Sequence, residues 1–379
     1  MIPGAGHHPR REEGRGAMEP IQPDVMVRQV EALSTDLRTR TDLFTNRVST
    51  LLSPAEWESI DAVILTGNGD SHHAACAAEM TFETFAEVTC EPLSAWRFLR
   101  YSPPLGRRTG EGRTLVIATS ASGGTKGVVQ AIERAKADGA LTVALTGTPG
   151  SAVIRAADRF LLVDLEHPER SPGIRTYQAS VLGMLLIALQ LAEARRADSF
   201  EAAAAGLRRE LSGLADTMDA TTKAIKERCA RLAEVIAKAP VVTMVGSGPN
   251  HGTAQYGAAK LAEAAGVFAA GQDLEEWSHV ERFAYPVDMP VFIIAPPGRS
   301  QQRATRLAEQ ASRLGRHVIA VVDGNETDLI AHADAVLPVH GTVREEFSPL
   351  LYHLFAGYTA SYTAQRLERL PFQADRSSS

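Results

Sequence analysis

A chain of 379 residues, 44% hydrophobic and 22% charged, has the length for two domains of roughly 150 residues each and the composition of a packed protein. A formal charge of −6 excludes a broad basic field, so nucleic acid and membrane are not expected partners and any phosphate site must be local. Cys76, Cys90 and Cys229 lack metal-ligand spacing, and no apolar run is read as reaching a bilayer span, which predicts a cytoplasmic protein without disulfide or zinc.

Residues 1–22, rich in Gly, His, Arg and Glu toward the start, carry no periodicity and are set apart as a flexible arm. Residues 23–54 read as a leading helix from Met26, Val27, Val30, Leu33, Leu37, Phe44 and Val48 at helical spacing. The first domain, 55–196, predicts strands at 62–66, 115–120, 141–146 and 160–162, with helices at 71–87, 125–138 and 177–194. An Ala- and Leu-rich stretch, 197–239, reads as a helical connector. The second domain, 240–379, opens another series of strands, with helices at 252–265, 301–314 and 345–367 before a polar tail. Strands apolar on both sides, alternating with helices, imply parallel sheets covered on both faces.

The two domains repeat each other. Asp61-Ala-Val-Ile-Leu-Thr-Gly-Asn-Gly-Asp-Ser71 is echoed by Pro240-Val-Val-Thr-Met-Val-Gly-Ser-Gly-Pro-Asn250. Three further apolar runs, at 115–118, 142–145 and 160–163, recur at 291–294, 318–321 and 335–338 in the same order and at nearly constant displacement, which argues for a duplicated domain. The copies part after the second run: Thr119-Ser-Ala-Ser-Gly-Gly-Thr125 in one, Ala295-Pro-Pro-Gly-Arg-Ser300 in the other.

The first of these turns follows a strand and opens a helix, so the hydroxyls of Ser120, Ser122 and Thr125 join free backbone N–H groups at a positive helix end. Gly123 and Gly124 let the backbone approach an anion. A helix cap accounts for the same residues, but Asn68-Gly-Asp-Ser71 lies at the parallel position after the preceding strand and brings a second hydroxyl to the same crevice. Gly67-x-Gly69 lacks the third glycine and acidic partner of a dinucleotide site, which argues against NAD. On the helix at 252–265, Tyr256, Lys260 and Glu263 share one face. On spacing alone this is an exposed ion pair; at the sheet edge, a lysine there would hold Glu263 ionised as a base. Glu275-Glu-Trp-Ser-His279 reads as a loop whose histidine is structural, exposed or catalytic. His72 and His73, adjacent on a helix, point about 100° apart and do not suit a chelate.

These residues resemble the sugar isomerase (SIS) family, in particular the double-SIS isomerase half of glutamine:fructose-6-phosphate aminotransferases, from about Asp61 to the end. The family's Gly-Thr-Ser turn is similar to Gly69-Asp-Ser71, and its Ser-Gln-Ser-Gly-Glu-Thr loop to Ser120-Ala-Ser-Gly-Gly-Thr125. Its Ala-Leu-Lys-Leu-Lys-Glu helix resembles Ala258-Ala-Lys-Leu-Ala-Glu263, and its Gly-Glu-Leu-Lys-His loop Glu275-Glu-Trp-Ser-His279. The spacing from the glutamate to the histidine, and on to Asp288-Met-Pro290, agrees.

The resemblance implies an α/β fold of two tandem three-layer αβα SIS domains with parallel sheets, duplicated. It implies that Gly69, Asp70, Ser71, Ser120, Ala121, Ser122, Gly123 and Thr125 hold a sugar phosphate and that Ile174 and Thr176 contact the sugar. Glu263 would move a proton between C1 and C2, Lys260 would orient or ionise it, and His279 would assist ring opening, reaching a neighbouring subunit's site in a homodimer. No cofactor or metal is expected. The chain departs from the pattern at Asp70, Ala121 and Gly124, is read as lacking a glutaminase domain, and shows no lysine after Lys260, so glutamine-dependent amino transfer is not expected. The expected function is a phosphosugar or amino-sugar-phosphate isomerase, deaminase or deglycase; the alternative is a non-catalytic sugar-phosphate-binding SIS regulator.

Overall fold

The structure, a computed structural model, describes residues 19–105, 112–196 and 199–375; most of the N-terminal arm and the end of the tail lie outside the described residues. The leading helix is α1 (Asp24–Ser49), followed by α2 (Pro54–Glu58). The first half runs β1 (Ile60–Gly67), α3 (Asp70–Thr81), β2 (Thr89–Ser94), α4 (Ala95–Tyr101), β3 (Arg113–Thr119), α5 (Lys126–Ala137), β4 (Leu141–Thr146), α6 (Ala152–Ala156), β5 (Arg159–Leu162) and α7 (Arg175–Arg196). The connector is α8 (Glu201–Ile236). The second half runs β6 (Val242–Val245), α9 (Pro249–Ala265), β7 (Ala269–Gln272), α10 (Leu274–His279), β8 (Pro290–Ala295), α11 (Gln301–Arg313), β9 (His317–Asp323), β10 (Ala335–Val339), α12 (Pro349–Tyr352) and α13 (Leu354–Arg366).

Each half holds one five-stranded sheet, in the orders β2-β1-β3-β4-β5 and β10-β9-β8-β6-β7, and every pairing is parallel. The chain crosses from β2 to β3 over β1, and from β7 to β8 over β6, so each sheet has one switch point where a crevice opens beyond the strand ends. One continuous apolar core joins the halves through α1, α3, α7, α8, α9 and α13. Separate outer clusters lie under α4 and α5 on one sheet and under α10 and α11 on the other. On α5 the buried residues Val128, Ala131, Ile132 and Ala135 follow helical spacing, which is why that helix lies flat on the sheet.

Several expectations are corrected. Edge strands β2 and β7 were not foreseen: β2 carries Pro92 and half-buried Glu91, and β7 is Ala-Ala-Gly-Gln, neither with the β-branched run of a central strand. The helix at 71–87 stops at Thr81, continues as a π-helical turn over Phe82–Ala86, and ends at left-handed Glu87. The helix at 345–367 is three pieces: a 3₁₀ turn at Glu345–Phe347, then α12 and α13. Helix α7 is long and apolar enough for a bilayer span by length and composition, against expectation, but 83% of its apolar window is buried within the protein, the setting of a core helix.

Small residues set the distance between the halves. A Cβ on Gly252 of α9 would lie 2.5 Å from the His73 carbonyl oxygen and 2.7 Å from the Ala77 nitrogen of α3. Glycine there, against the α3 backbone at His73, Cys76 and Ala77, permits a backbone-to-backbone approach. That approach carries Lys260, two turns further along α9, to the first residue of α3.

Candidate active site

The two hydroxyl-bearing turns end adjacent strands, β1 and β3, at the first switch point. Gly69 (φ 54°) caps α3 in a conformation only glycine adopts readily, and Gly248 (φ 54°) does the same for α9. In the second turn Gly123 has φ 66°, and a Cβ there would lie 2.2 Å from Ser151 Oγ. Backbone bonds fix this turn: Ser120 N–H donates to the Leu145 carbonyl (3.0 Å), Gly123 N–H to the Ser120 carbonyl (3.0 Å), and Val153 N–H to the Gly123 carbonyl (3.1 Å). Thr148 Oγ1 donates to the Ala121 carbonyl at 3.1 Å. Ser120 Oγ and Thr125 Oγ1 lie 3.0 Å apart, and Thr125 caps α5 without engaging its side chain in a cap bond. Helix α5 therefore begins at the crevice beside two hydroxyls, an arrangement that suits an oxyanion.

The polar stripe of α9 is not an exposed ion pair. Lys260 is 0% exposed, and its Nζ donates to Asp70 Oδ2 at 2.6 Å and to Glu263 Oε2 at 2.5 Å. The ammonium lies 5.2 Å from the centre of the Tyr256 ring, which is stacked on Tyr177 at 3.8 Å. The Tyr256 hydroxyl donates to the Gly173 carbonyl at 3.0 Å. Burial pushes the Lys260 ammonium down, but the two carboxylates outweigh it and raise it above its ordinary value. Burial likewise pushes Asp70 up, yet Lys260 and His73 outweigh that and hold it low. For Glu263 burial prevails: Lys260 lowers the carboxyl, Asp70 raises it again, and the net direction is upward. Lys260 thus favours the ionised carboxylate of Glu263, while burial and the neighbouring Asp70 oppose it.

A cavity of about 520 Å³ collects Gly69, Asp70, Ser71, Ser120, Ala121, Ser122, Thr125, Thr176 and Glu263 from the two halves. Asp70 serves Lys260 rather than standing only in the phosphate turn. Glu169 and Arg170, absent from the sequence-based set, also line it, and Glu169 pairs with Arg28 at 2.5 Å. Gly123 shapes the turn from behind. Ile174 does not line the cavity; it is buried, with its Cδ1 turned toward Gly357. Glu263 also borders a second cavity of about 520 Å³, lined by Ala262, Gly266 and the tail residues Leu370 and Phe372.

His279 lies elsewhere. It ends α10 rather than sitting on a loop, because Asp273 caps that helix by accepting from the Glu275 and Glu276 N–H groups at 2.8 and 3.4 Å. Its side chain is 66% exposed and within 3.2 Å of Glu275, in a separate cleft with Arg282, Arg303 and Arg306. A single chain does not bring it to Glu263.

The turn of the second half is closed by the protein itself. The Glu345 carboxylate lies 2.5–2.8 Å from the place of a Cβ on Gly298, and it accepts from Arg299 N–H at 3.2 Å, ahead of α11.

Two doubly covered parallel sheets, with a hydroxyl-lined crevice open at a switch point, define a duplicated α/β protein. The chain belongs to the SIS domain family, which matches residues 58–189 and 235–365. It is similar to glutamine–fructose-6-phosphate aminotransferase (isomerizing) of Bradyrhizobium diazoefficiens, 29% identical over 340 residues, covering 89% of this chain and 54% of that one. The Streptomyces coelicolor protein of the same name is 25% identical over 296 residues, covering 77% and 47%. The chain spans about half the length of these curated relatives. Among solved structures, the C-terminal domain of glucosamine-fructose-6-phosphate aminotransferase from Francisella tularensis shares the fold, with a TM-score of 0.79 at 15% identity, covering 90% and 96%. So does glucosamine-6-phosphate deaminase from Thermotoga maritima, with a TM-score of 0.70 at 16% identity, covering 91% and 96%.

Proposed function

We propose that this chain is a phosphosugar or amino-sugar-phosphate enzyme that transfers a proton between C1 and C2 of its substrate, with Glu263 as the base. The observation that carries the reading is the common cavity: Glu263, tied to a buried lysine, shares one space with the hydroxyl turns of Ser71 and Ser120–Thr125. A phosphate held by those turns fixes one end of a sugar while the carboxylate works at the other. A base with its carboxyl raised toward neutrality is better matched to shuttling a proton than an ordinary one.

Isomerase, deaminase and deglycase chemistry share this step. The cavity bordered by Leu370 and Phe372 beside Glu263 supplies room for a substituent on a sugar nitrogen. In this reading the protein is cytoplasmic and a homodimer, since exposed His279 assists ring opening only at a partner's site.

The test is a thermal-shift screen of the protein against fructose 6-phosphate, glucose 6-phosphate, glucosamine 6-phosphate and phosphorylated fructosamines, with unphosphorylated sugars as controls. A phosphate-dependent rise is expected, followed by turnover that Glu263→Gln reduces about 10²–10⁴-fold while binding persists. Binding without turnover of any of these sugars would favour the non-catalytic regulator. No shift with any phosphosugar would refute the reading.

A further inference from the structure

The cavity at Ser120–Thr125 offers a phosphate hydroxyls and N–H groups but little positive charge. Lys260 is buried between Asp70 and Glu263, and Glu169 is matched by Arg28. Whether or not Glu263 is ionised, these groups together carry no net positive charge. Arg170 is the one cationic side chain among the described residues that line the cavity. Lys126, the residue after the turn, opens α5 outside that lining.

Arg170 belongs to the segment between β5 and α7. Leu165 and Pro168 of this segment enclose, with Ala121 of the phosphate turn, a chamber of about 150 Å³ that shares Ala121, Thr176 and Ser180 with the main cavity. The segment thus lies against the turn, and α1 holds it there. Arg40 pairs with Glu166 at 2.6 Å, and Gln29 Nε2 donates to the Glu169 carbonyl at 2.8 Å. From the start of α7, Arg175 donates to the Glu166 and His167 carbonyls at 2.9 and 3.1 Å. Position 170 therefore follows an anchored stretch of chain.

We propose that Arg170 is a specificity-determining residue that sets its guanidinium on the phosphate of a sugar held at Ser120–Thr125 and selects a dianionic group there. The proposal rests on the phosphosugar reading above and deepens it. The loop that this turn resembles carries glutamine and glutamate where this chain has Ala121 and Gly124, so the turn has one side-chain donor and one carboxylate fewer. A guanidinium from the facing segment supplies a donor and a charge together, and charge-assisted bonds to phosphate are the strong ones.

The test uses the full-length chain and calorimetry with glucose 6-phosphate, glucosamine 6-phosphate and their 6-sulfates, which have nearly the same shape with one negative charge fewer. Arg170→Gln is expected to weaken phosphosugar binding about 10–100-fold, the range of a hydrogen bond to a charged group, and Arg170→Lys to recover part of the loss. The wild type is expected to favour phosphate over sulfate by about tenfold, and Arg170→Gln to lose most of that preference. Exposed Arg170 is not part of the core, so Tm should hold. Lys126→Gln, beside the turn but off the cavity wall, should stay within about twofold of wild type. Wild-type affinity in Arg170→Gln, or a loss that falls equally on phosphate and sulfate and is not recovered by lysine, would overturn the inference and leave the phosphosugar reading intact. Failure of the wild type to bind any phosphosugar of the screen above would overturn both.

Discussion

Replacing Lys260 by methionine tests whether this lysine organises the site. The variant keeps the length of the side chain and removes the ammonium that two carboxylates share at 2.6 and 2.5 Å. Removing one partner of a buried ion pair costs about 3–5 kcal/mol, because the charge left behind is neither solvated nor paired. Here two like charges remain, with Lys260 0% exposed between them, so the upper part of that range is expected, a fall in Tm on the order of 10 °C. The loss depends on pH in a definite direction. Without the ammonium, burial and mutual repulsion raise both carboxyls, so acidification neutralises them in the folded protein before the unfolded chain. The variant should therefore be furthest from wild type near pH 8 and closer near pH 5, in urea unfolding followed by circular dichroism at both values. Adding Asp70→Asn and Glu263→Gln should recover most of the loss, since no charge is then stranded. A penalty below about 1 kcal/mol at pH 8, or one no smaller at pH 5, would refute the argument.

Two further expectations concern the walls of the site. His353 is buried beside Tyr177 and Tyr256, donates from Nδ1 to the Pro349 carbonyl (2.9 Å), and is pushed down to about 4 by burial. Between the unfolded value near 6.5 and that folded value only the unfolded chain takes up the proton, so stability falls with pH, by about 2 kcal/mol from pH 7 to pH 5. His353→Leu should flatten this segment of the pH–stability curve; identical slopes in wild type and variant would remove the account. Gly123→Ala places a methyl 2.2 Å from Ser151 Oγ at φ 66° and is expected to cost about 2 kcal/mol or more and to abolish phosphosugar binding, read by thermal shift. Retained binding with unchanged Tm would show that the turn tolerates what its geometry forbids.

The central strands and the repeat were legible because continuous apolar runs ending in Gly-x-Gly are what a doubly covered parallel strand and its turn require. The edge strands were not, since β7 (Ala-Ala-Gly-Gln) owes its pairing to β6 rather than to any residue of its own. Asp273-x-x-Glu276 was the missed signal for α10, a capping pattern too short in its helix to stand out. The site was legible as types and turns, but the decisive contact was not. Asp70 and Lys260 are 190 positions apart, and nothing local in either segment shows that Gly252 lets α3 and α9 close to backbone contact. Likewise Arg170 and Glu169 belong to a segment without periodicity, which reaches the cavity only because the chain returns over the crevice after β5.

The contrast between the halves explains why a duplicated fold presents one open cradle. Both turns offer the same physical invitation, free N–H groups at the start of a helix, and such groups must be met by something. In the second half the chain after β10 delivers the Glu345 carboxylate to Arg299 N–H and against Gly298, so the anion is built in. In the first half the corresponding chain after β5 delivers Glu169 to Arg28 instead and leaves Ser120–Thr125 facing the cavity with Arg170 on its wall. An internal carboxylate thus answers that demand in one half, and the phosphate of the proposed substrate would answer it in the other. The half that satisfied it internally contributes α9, whose Glu263 reaches the cavity of the half that did not.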